Sequence, residues 1–276
     1  MKKVETHLHT SPVSCCSRLT AEAAAEKYRK CGFDAVMLTN HYSRSYIECT
    51  PATEKEWLDR VQGFKVEVER VAGTPATEKE WLDRFIEGYY EMKKECEKRG
   101  MEAWLGAEVT LFAPYAQYER DRYPMDVLEK NFADYILVGV TEKFLRETPM
   151  LCDLDLKTLH AICREHNVLL IQAHPFRTEQ HHSPKPPEDV DGYEINGCVG
   201  FKTTCEKEVL ELAAAHNLVV TCGGDTHYDW HKLRSATFVP DEIHDSVGFA
   251  EYLRKVRVPK YSLTETDEFA APSESK

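Results

Sequence analysis

A chain of 276 residues that is 42% hydrophobic, with a mean hydropathy of −0.50, can bury a sizeable core, which excludes a largely disordered protein. Its 47 acidic and 35 basic residues leave a formal charge of −12, which repels polyanions and anionic membranes and excludes nonspecific nucleic-acid binding. Met1-Lys2-Lys3-Val4-Glu5 lacks the apolar stretch of a signal peptide, no later run approaches a membrane span, and ten cysteines without a Cys-x-x-Cys pair are expected to be mostly reduced, so a cytoplasmic protein is expected.

In chain order, apolar runs of strand length alternate with helical patterns. A strand over 4–8 leads to a helix over 20–31, opened by a Thr20 cap. A strand over 35–39 and a helix over 79–99 follow, then strands over 104–109 and 135–140. A helix over 154–166 precedes strands over 168–173 and 192–195; a helix over 205–216 leads to strands over 218–222 and 236–239; a helix over 246–256 closes the series. Such alternation predicts an α/β fold with mostly parallel strands, and the number of units favours a barrel, one domain over residues 1–262, above an open sheet. Cys31, Cys163, Cys205 and Cys222 lie within these segments and are expected in the core.

Eleven residues beginning at Thr50 recur unchanged from Thr74 to Arg84. Two local copies exclude a solenoid and indicate a tandem duplication; each starts like a helix, so a helical insertion over about 50–84, outside any active centre, is expected. The polar, acidic stretch 263–276 is expected to be a mobile tail.

The chemistry-bearing side chains cluster at strand ends. His7 and His9, two apart at the end of the first strand, project to the same side and can hold one ion. His41 follows the second strand, Glu108 closes the run that begins at Ala103, His174 follows 169–173, and Asp225 and His227 come just after 219–224. In a parallel barrel all these ends meet at one mouth. Each residue alone has a plainer reading, as a hydrogen-bonded His, a lysine partner or a helix cap. Five imidazoles and two carboxylates at the same ends of successive strands are what a metal centre requires. By contrast His160, His166 and His216 fall in or at the ends of helical segments and are expected to be solvated or near C-terminal dipoles. His244 is expected on the surface, and so are His181, His182 and His231, although these three fall near enough to the mouth to contact substrate.

The motifs His7-Leu8-His9-Thr10, Thr39-Asn40-His41-Tyr42, Gly106-Ala107-Glu108, Ala173-His174-Pro175-Phe176-Arg177 and Gly224-Asp225-Thr226-His227 closely resemble the PHP (polymerase and histidinol phosphatase) superfamily. The resemblance runs in order from residue 4 to about 240. It implies a distorted TIM-like (β/α)7 barrel with two or three divalent ions, Zn, Mn or Fe, at its mouth. His7, His9, Glu108 and Asp225 would hold one ion, Glu108 would bridge to a second held also by His174, and His41 and His227 would serve a third. Two positions depart from the family pattern. The usual upstream ligand of the third ion falls in Ser14-Cys15-Cys16-Ser17, so that position is either absent or uses a thiolate, Cys15 or Cys16, and the His expected after the fourth strand is missing, which leaves Glu142 as its substitute.

A metal-bound water held by His7, His9, Glu108, His174 and Asp225 would then attack a phosphoester. Arg177 could fork onto phosphate oxygens, its plainer reading being a salt bridge at the rim, and Arg18 and Lys143 are further candidates. The expected function is a metal-dependent phosphoesterase acting on a small phosphorylated metabolite or nucleotide. A noncatalytic metal-stabilised domain and a hydrolase of a nonphosphate bond are the alternatives.

Overall fold

The computed structural model describes residues 1–48, 76–112, 124–177, 182–198 and 205–264. The chain runs through β1 (Lys2–Leu8), α1 (Ala21–Lys30), β2 (Ala35–Leu38), β3 (His41–Tyr42), α2 (Arg44–Glu48), α3 (Glu78–Glu97), β4 (Glu102–Leu105) and β5 (Ala107–Leu111). It continues through α4 (Met125–Asn131), β6 (Ala133–Val138), α5 (Glu142–Glu147), α6 (Leu156–Glu165), β7 (Leu169–Gln172), β8 (Gly192–Asn196), α7 (Glu206–His216), β9 (Val219–Gly223), β10 (Ser235–Val239), α8 (Ser246–Val256) and β11 (Lys260–Leu263). The expected strands and long helices are present. The short β3, α2, α4 and α5 and the final β11 are additions that carry too few periodic residues to stand out in the sequence.

The strands form two mixed sheets, ordered β11-β10-β1-β2-β4 and β3-β5-β6-β7-β8-β9, and no closed barrel is hydrogen-bonded among the described residues. The sheets are joined by the chain itself. β2 passes into β3 and β4 into β5, and the Gly106 and Glu108 amides donate to the Leu38 and Asn40 carbonyls across the two junctions. At the other end Leu8 of β1 bridges Thr226, just past β9. The expectation of mostly parallel strands needs correction. β6 runs antiparallel to both β5 and β7, and β10 is antiparallel to β1 and β11. Every residue of β6 is buried, so its sequence has no polar edge that would reveal which way it runs.

The helices pack through apolar faces and are capped as their sequences dictate. Thr20 caps α1 through the Ala23 amide, and Thr77 with Glu80 forms a capping box on α3. The second copy of the duplicated segment supplies that α3 start, whereas the first copy lies outside the described residues. Trp81 and Phe85 of α3 are buried against Tyr42, next to His41, so the second copy belongs to the core. Cys163 and Cys222 are buried as expected, whereas Cys31 is exposed and Cys205 half-buried, because Cys31 lies past the end of α1 and Cys205 opens α7. No helix among the described residues is long and apolar enough to cross a membrane. The tail beyond Thr264 and His181 lie outside the described residues.

Candidate metal centre

β1 carries His7 in its last turn of pleat and leads directly to His9; the period-two geometry puts both rings on one side, with their Nε2 atoms 3.0 Å apart. In the β3–β5 pair His41 stands opposite Glu108, and in the β5–β6 pair Thr110 stands opposite Asp134. His174 lies two residues past the end of β7, where the intervening Ala173 amide donates to the Asp134 carbonyl of β6. Asp225 arrives through Gly223 and Gly224. A Cβ on Gly223 would lie 2.6 Å from His7 Cβ, and one on Gly224 would lie 2.7 Å from Glu5 Oε2, so only glycines let this turn close onto β1. Both His174 (φ 31°) and Asp225 (φ 47°) occupy the left-handed region, a strain of order 1–3 kcal/mol each that residues at functional sites commonly carry.

Glu108 is the hub. Its Oε1 lies 3.2 Å from both His7 Nε2 and His174 Nε2, and its Oε2 lies 2.8 Å from His41 Nδ1 and 3.3 Å from His9 Nε2. Asp225 Oδ1 is 3.5 Å from the Nε2 atoms of His7 and His9 and 3.3 Å from His227 Nδ1. On the far side of His174, Asp134 Oδ2 stands 3.8 Å from His174 Nε2 and 3.5 Å from His182 Nε2. Donor atoms in four groups lie mutually within 4.8 Å: His7-His9-Glu108, His7-His174-Asp225, Asp134-His174-His182 and His9-His41-His227.

A carboxylate shell fixes these ligands in place. Glu194 Oε1 accepts from His7 Nδ1 at 2.8 Å, which turns Nε2 toward Glu108, while Glu194 Oε2 accepts from the His174 amide and from Asn196. Fully buried Glu5 accepts from the His7 and Gly224 amides and from the Tyr28 hydroxyl. Its carboxyl is pushed up to about 7 by burial, against the pull of those bonds. Because Glu194 sets the orientation of His7, Glu194→Gln is expected to weaken metal binding about 10–100-fold, measured by calorimetric titration of the chelator-stripped protein. Unchanged affinity would remove Glu194 from that role.

The ionisation pattern follows from these contacts. Burial opposes charging His7, but Glu194, Glu108 and Asp225 overcome it and hold the imidazole well above its ordinary value. Burial likewise opposes Glu108, yet His7 and His41 keep its carboxyl well below the usual range; Asp225 is depressed in the same way by His7 and Arg177. In the second cluster, burial and the nearby Glu108 charge raise Asp134, while burial and His174 push His182 down to about 2.

The donors fit divalent cations. Among the described residues Glu108 Oε2, His41 Nδ1, His174 Nδ1 and both ring nitrogens of His182 are buried without a hydrogen-bond partner. Buried polar atoms are ordinarily paired, and orphans of this kind call for an unseen water or ion. The mixture of imidazoles and carboxylates suits zinc, manganese or iron.

The structure thus brings His7, His9, His41, Glu108, His174, Asp225 and His227 together. It does not bring Glu142 there. Glu142 sits at the start of α5, bonded to Tyr90 and Arg146, because antiparallel β6 carries its C-terminal end away from the cluster. Lys143 is exposed on the same helix. The reversed strand presents its beginning instead, which is how Asp134 enters the centre. Arg177 donates to Asp225 Oδ2 at 2.7 Å and to Asn196, and is nearly buried, so its guanidinium is committed to a candidate ligand. The Arg18 amide donates to the His227 carbonyl, and its guanidinium lies 6.0 Å from the Tyr228 ring. Cys15 is half-buried; Cys16 meets His41 and His227 through its side chain, and although burial opposes ionisation, these two rings hold its thiol well below the ordinary value.

Three other expectations about histidines also need correction. His182 and His231 are buried, His182 beside His174 and Phe132, His231 accepting from the His227 amide. His160 is buried on α6, 3.3 Å from Asp191. The sequence contained no usable signal for Asp134 or Glu194, each an acidic residue inside an apolar strand. A charge at such a position, which burial makes costly, is the one hint they offered.

No protein-family model and no curated protein sequence matches the chain. Among solved structures it is similar to a two-domain protein from Bacteroides vulgatus described as containing a predicted PHP-like metal-dependent phosphoesterase. That match has 15% identity and a TM-score of 0.53, over 93% of this chain and 63% of that one. It is also similar to PsfC from Pseudomonas syringae PB-5123, with 16% identity and a TM-score of 0.54, over 96% and 92% of the two chains. A third similarity is to the lesion-specific endonuclease PfuEndoQ from Pyrococcus furiosus, with 13% identity and a TM-score of 0.52, over 95% of this chain and 57% of that one. The chain spans less than two thirds of the first and third of these proteins. At such identities the likeness is one of architecture, and the chain thus shares its fold with a protein described as containing a predicted PHP-like metal-dependent phosphoesterase.

Proposed function

We propose that the protein is a metal-dependent phosphoesterase that hydrolyses a small phosphorylated metabolite or nucleotide, phosphomonoesters among them. The observation that carries this reading is Glu108, a buried carboxylate whose two oxygens face four imidazoles from three other strands or strand ends. A carboxylate so placed is suited to be shared by two ions, with His7, His9 and Asp225 on one side and His174, Asp134 and His182 on the other. When bound, a pair of divalent ions supplies Lewis acidity that lowers the pKa of a water to about 7 and draws charge from phosphoryl oxygens.

The protein's own residues have separate tasks. Glu194 and Glu5 keep His7 and the Gly223-Gly224 turn in register, and Arg177 holds Asp225 from the side opposite the imidazoles. Burial of Glu108, His7 and His9 keeps bulk water from competing for these donors. We read the two sheets as halves of one distorted seven-strand barrel. The β2–β3 and β4–β5 continuations stitch one seam, and the Leu8–Thr226 bridge with the His9 amide on the Thr226 carbonyl supports closure at the other.

The test is a panel of phosphomonoesters, nucleotides and phosphodiesters presented to protein loaded with manganese or zinc. Turnover that chelation abolishes and the metal restores is expected. No turnover on any of them with metal stoichiometrically bound would reject the reading in favour of a noncatalytic domain or a different scissile bond.

A further inference from the structure

We propose that Cys16 is a metal ligand, its thiolate joining His41 and His227 to form a third ion position that takes a borderline-soft cation such as zinc in preference to manganese or magnesium. This rests on the metal-centre reading above.

The loop that carries Cys16 is anchored residue by residue to the centre. Ser14 Oγ accepts from the His41 amide and donates to Asn40 Oδ1, both at 3.0 Å, and lies 3.2 Å from His9 Nδ1. Ser17 Oγ donates to the carbonyls of His9 and His227, each at 2.9 Å, and the Arg18 amide donates to the His227 carbonyl at 2.9 Å. Cys16 is therefore held between two fixed points, and its side chain meets the imidazoles of both His41 and His227 and the Tyr46 side chain. The three imidazoles form a compact set, His9 lying 4.3 Å from His41 and 4.2 Å from His227 by ring centroids, with donor atoms within 4.8 Å of one another.

An independent observation points to a cation at this end. Glu108 Oε2, on a side chain 1% exposed, has no hydrogen-bond partner although it lies 2.8 Å from His41 Nδ1. Charge favours the same conclusion. Glu108 and Asp225 face His41 and His227 but are shared with His7, His9 and His174, and Asp134 serves the His182 side, so the two carboxylates would divide their charge among three dications. A thiolate supplies the missing negative charge. Thiolate sulfur with imidazole nitrogen is a donor set that selects zinc, cobalt or iron over the hard, oxygen-seeking cations.

Cobalt(II) gives a readout independent of activity. The chelator-stripped full chain titrated with cobalt is expected to develop an intense near-ultraviolet sulfur-to-cobalt charge-transfer band together with the weaker visible bands of its nitrogen and oxygen sites. C16S is expected to lose the near-ultraviolet band and one equivalent of bound metal, C16D to lose the band but keep the equivalent, and C15S to keep both. Iodoacetamide labelling located by mass spectrometry needs no variant; metal loading is expected to protect Cys16 from alkylation. Stoichiometric cobalt without the band, a band that survives in C16S or vanishes in C15S, or unchanged alkylation of Cys16 on loading would overturn the thiolate assignment and leave the other two clusters standing. Failure to bind any cobalt would overturn both this proposal and the metal-centre reading.

Discussion

Glu108→Gln is expected to lower kcat/KM for phosphoester hydrolysis about a thousandfold or more in protein supplied with saturating metal. The substitution preserves shape and removes the charge that His7, His9, His41 and His174 all face. One oxygen becomes an amide whose hydrogens point at nitrogen donors, and the carboxylate can no longer be shared. Ion-based stabilisation of a transition state amounts to several kcal/mol, and each 1.36 kcal/mol is a factor of ten, which sets the expected scale. Steady-state kinetics with metal content measured on the same sample checks it. A variant within tenfold of the parent would take Glu108 out of the chemistry.

Removing the ions is expected to lower the melting temperature by about 8–16 °C. At a free metal concentration about a thousand times Kd, one site adds about 4 kcal/mol, and each kcal/mol moves the midpoint by about 2–4 °C in a domain of a few hundred residues. The structure explains why the stripped centre is costly. His182 keeps two buried ring nitrogens unpaired, and Asp134 is raised by burial and by the Glu108 charge beside it. Scanning calorimetry with and without chelator, followed by re-addition of metal, measures the shift. A midpoint that moves by less than about 2 °C would mean that these donors do not gain from a cation.

Much of the molecule was legible from local pattern. The alternation of strand and helix runs reflects burial periodicities that these segments carry within themselves, and it matched the observed β1, β2, β7, β8 and β9 and the helices α1, α3, α6, α7 and α8. His7 and His9 could be paired because a spacing of two on a strand fixes their side chains to one face whatever the rest of the chain does. Strand ends gathered the remaining donors for the same local reason, and the structure brings all seven of them to one place.

Orientation was not legible. β6 is buried on both faces, so its residues read the same in either direction; reversing it exchanges Glu142 for Asp134 at the centre and leaves Glu142 to cap a surface ion pair with Arg146. Arg177 looked suited to phosphate because the sequence gives no sign that Asn196 and Asp225, 19 and 48 residues away, would occupy its guanidinium. His182 looked like surface because the fold of the loop around Lys185 is set by Gln172 and Tyr193, which bond it from neighbouring strands.

By itself, then, the sequence determined which donors exist, which sit at strand ends and which pair shares a face, since those follow from the chain's local periodicity. Tertiary structure alone decided which donors could share an ion. That depends on strand direction, on the hydrogen-bonded register between segments as far apart as His41 and Glu108, and on the glycine turn that lets Asp225 reach His7. These are contacts whose geometry no single segment encodes.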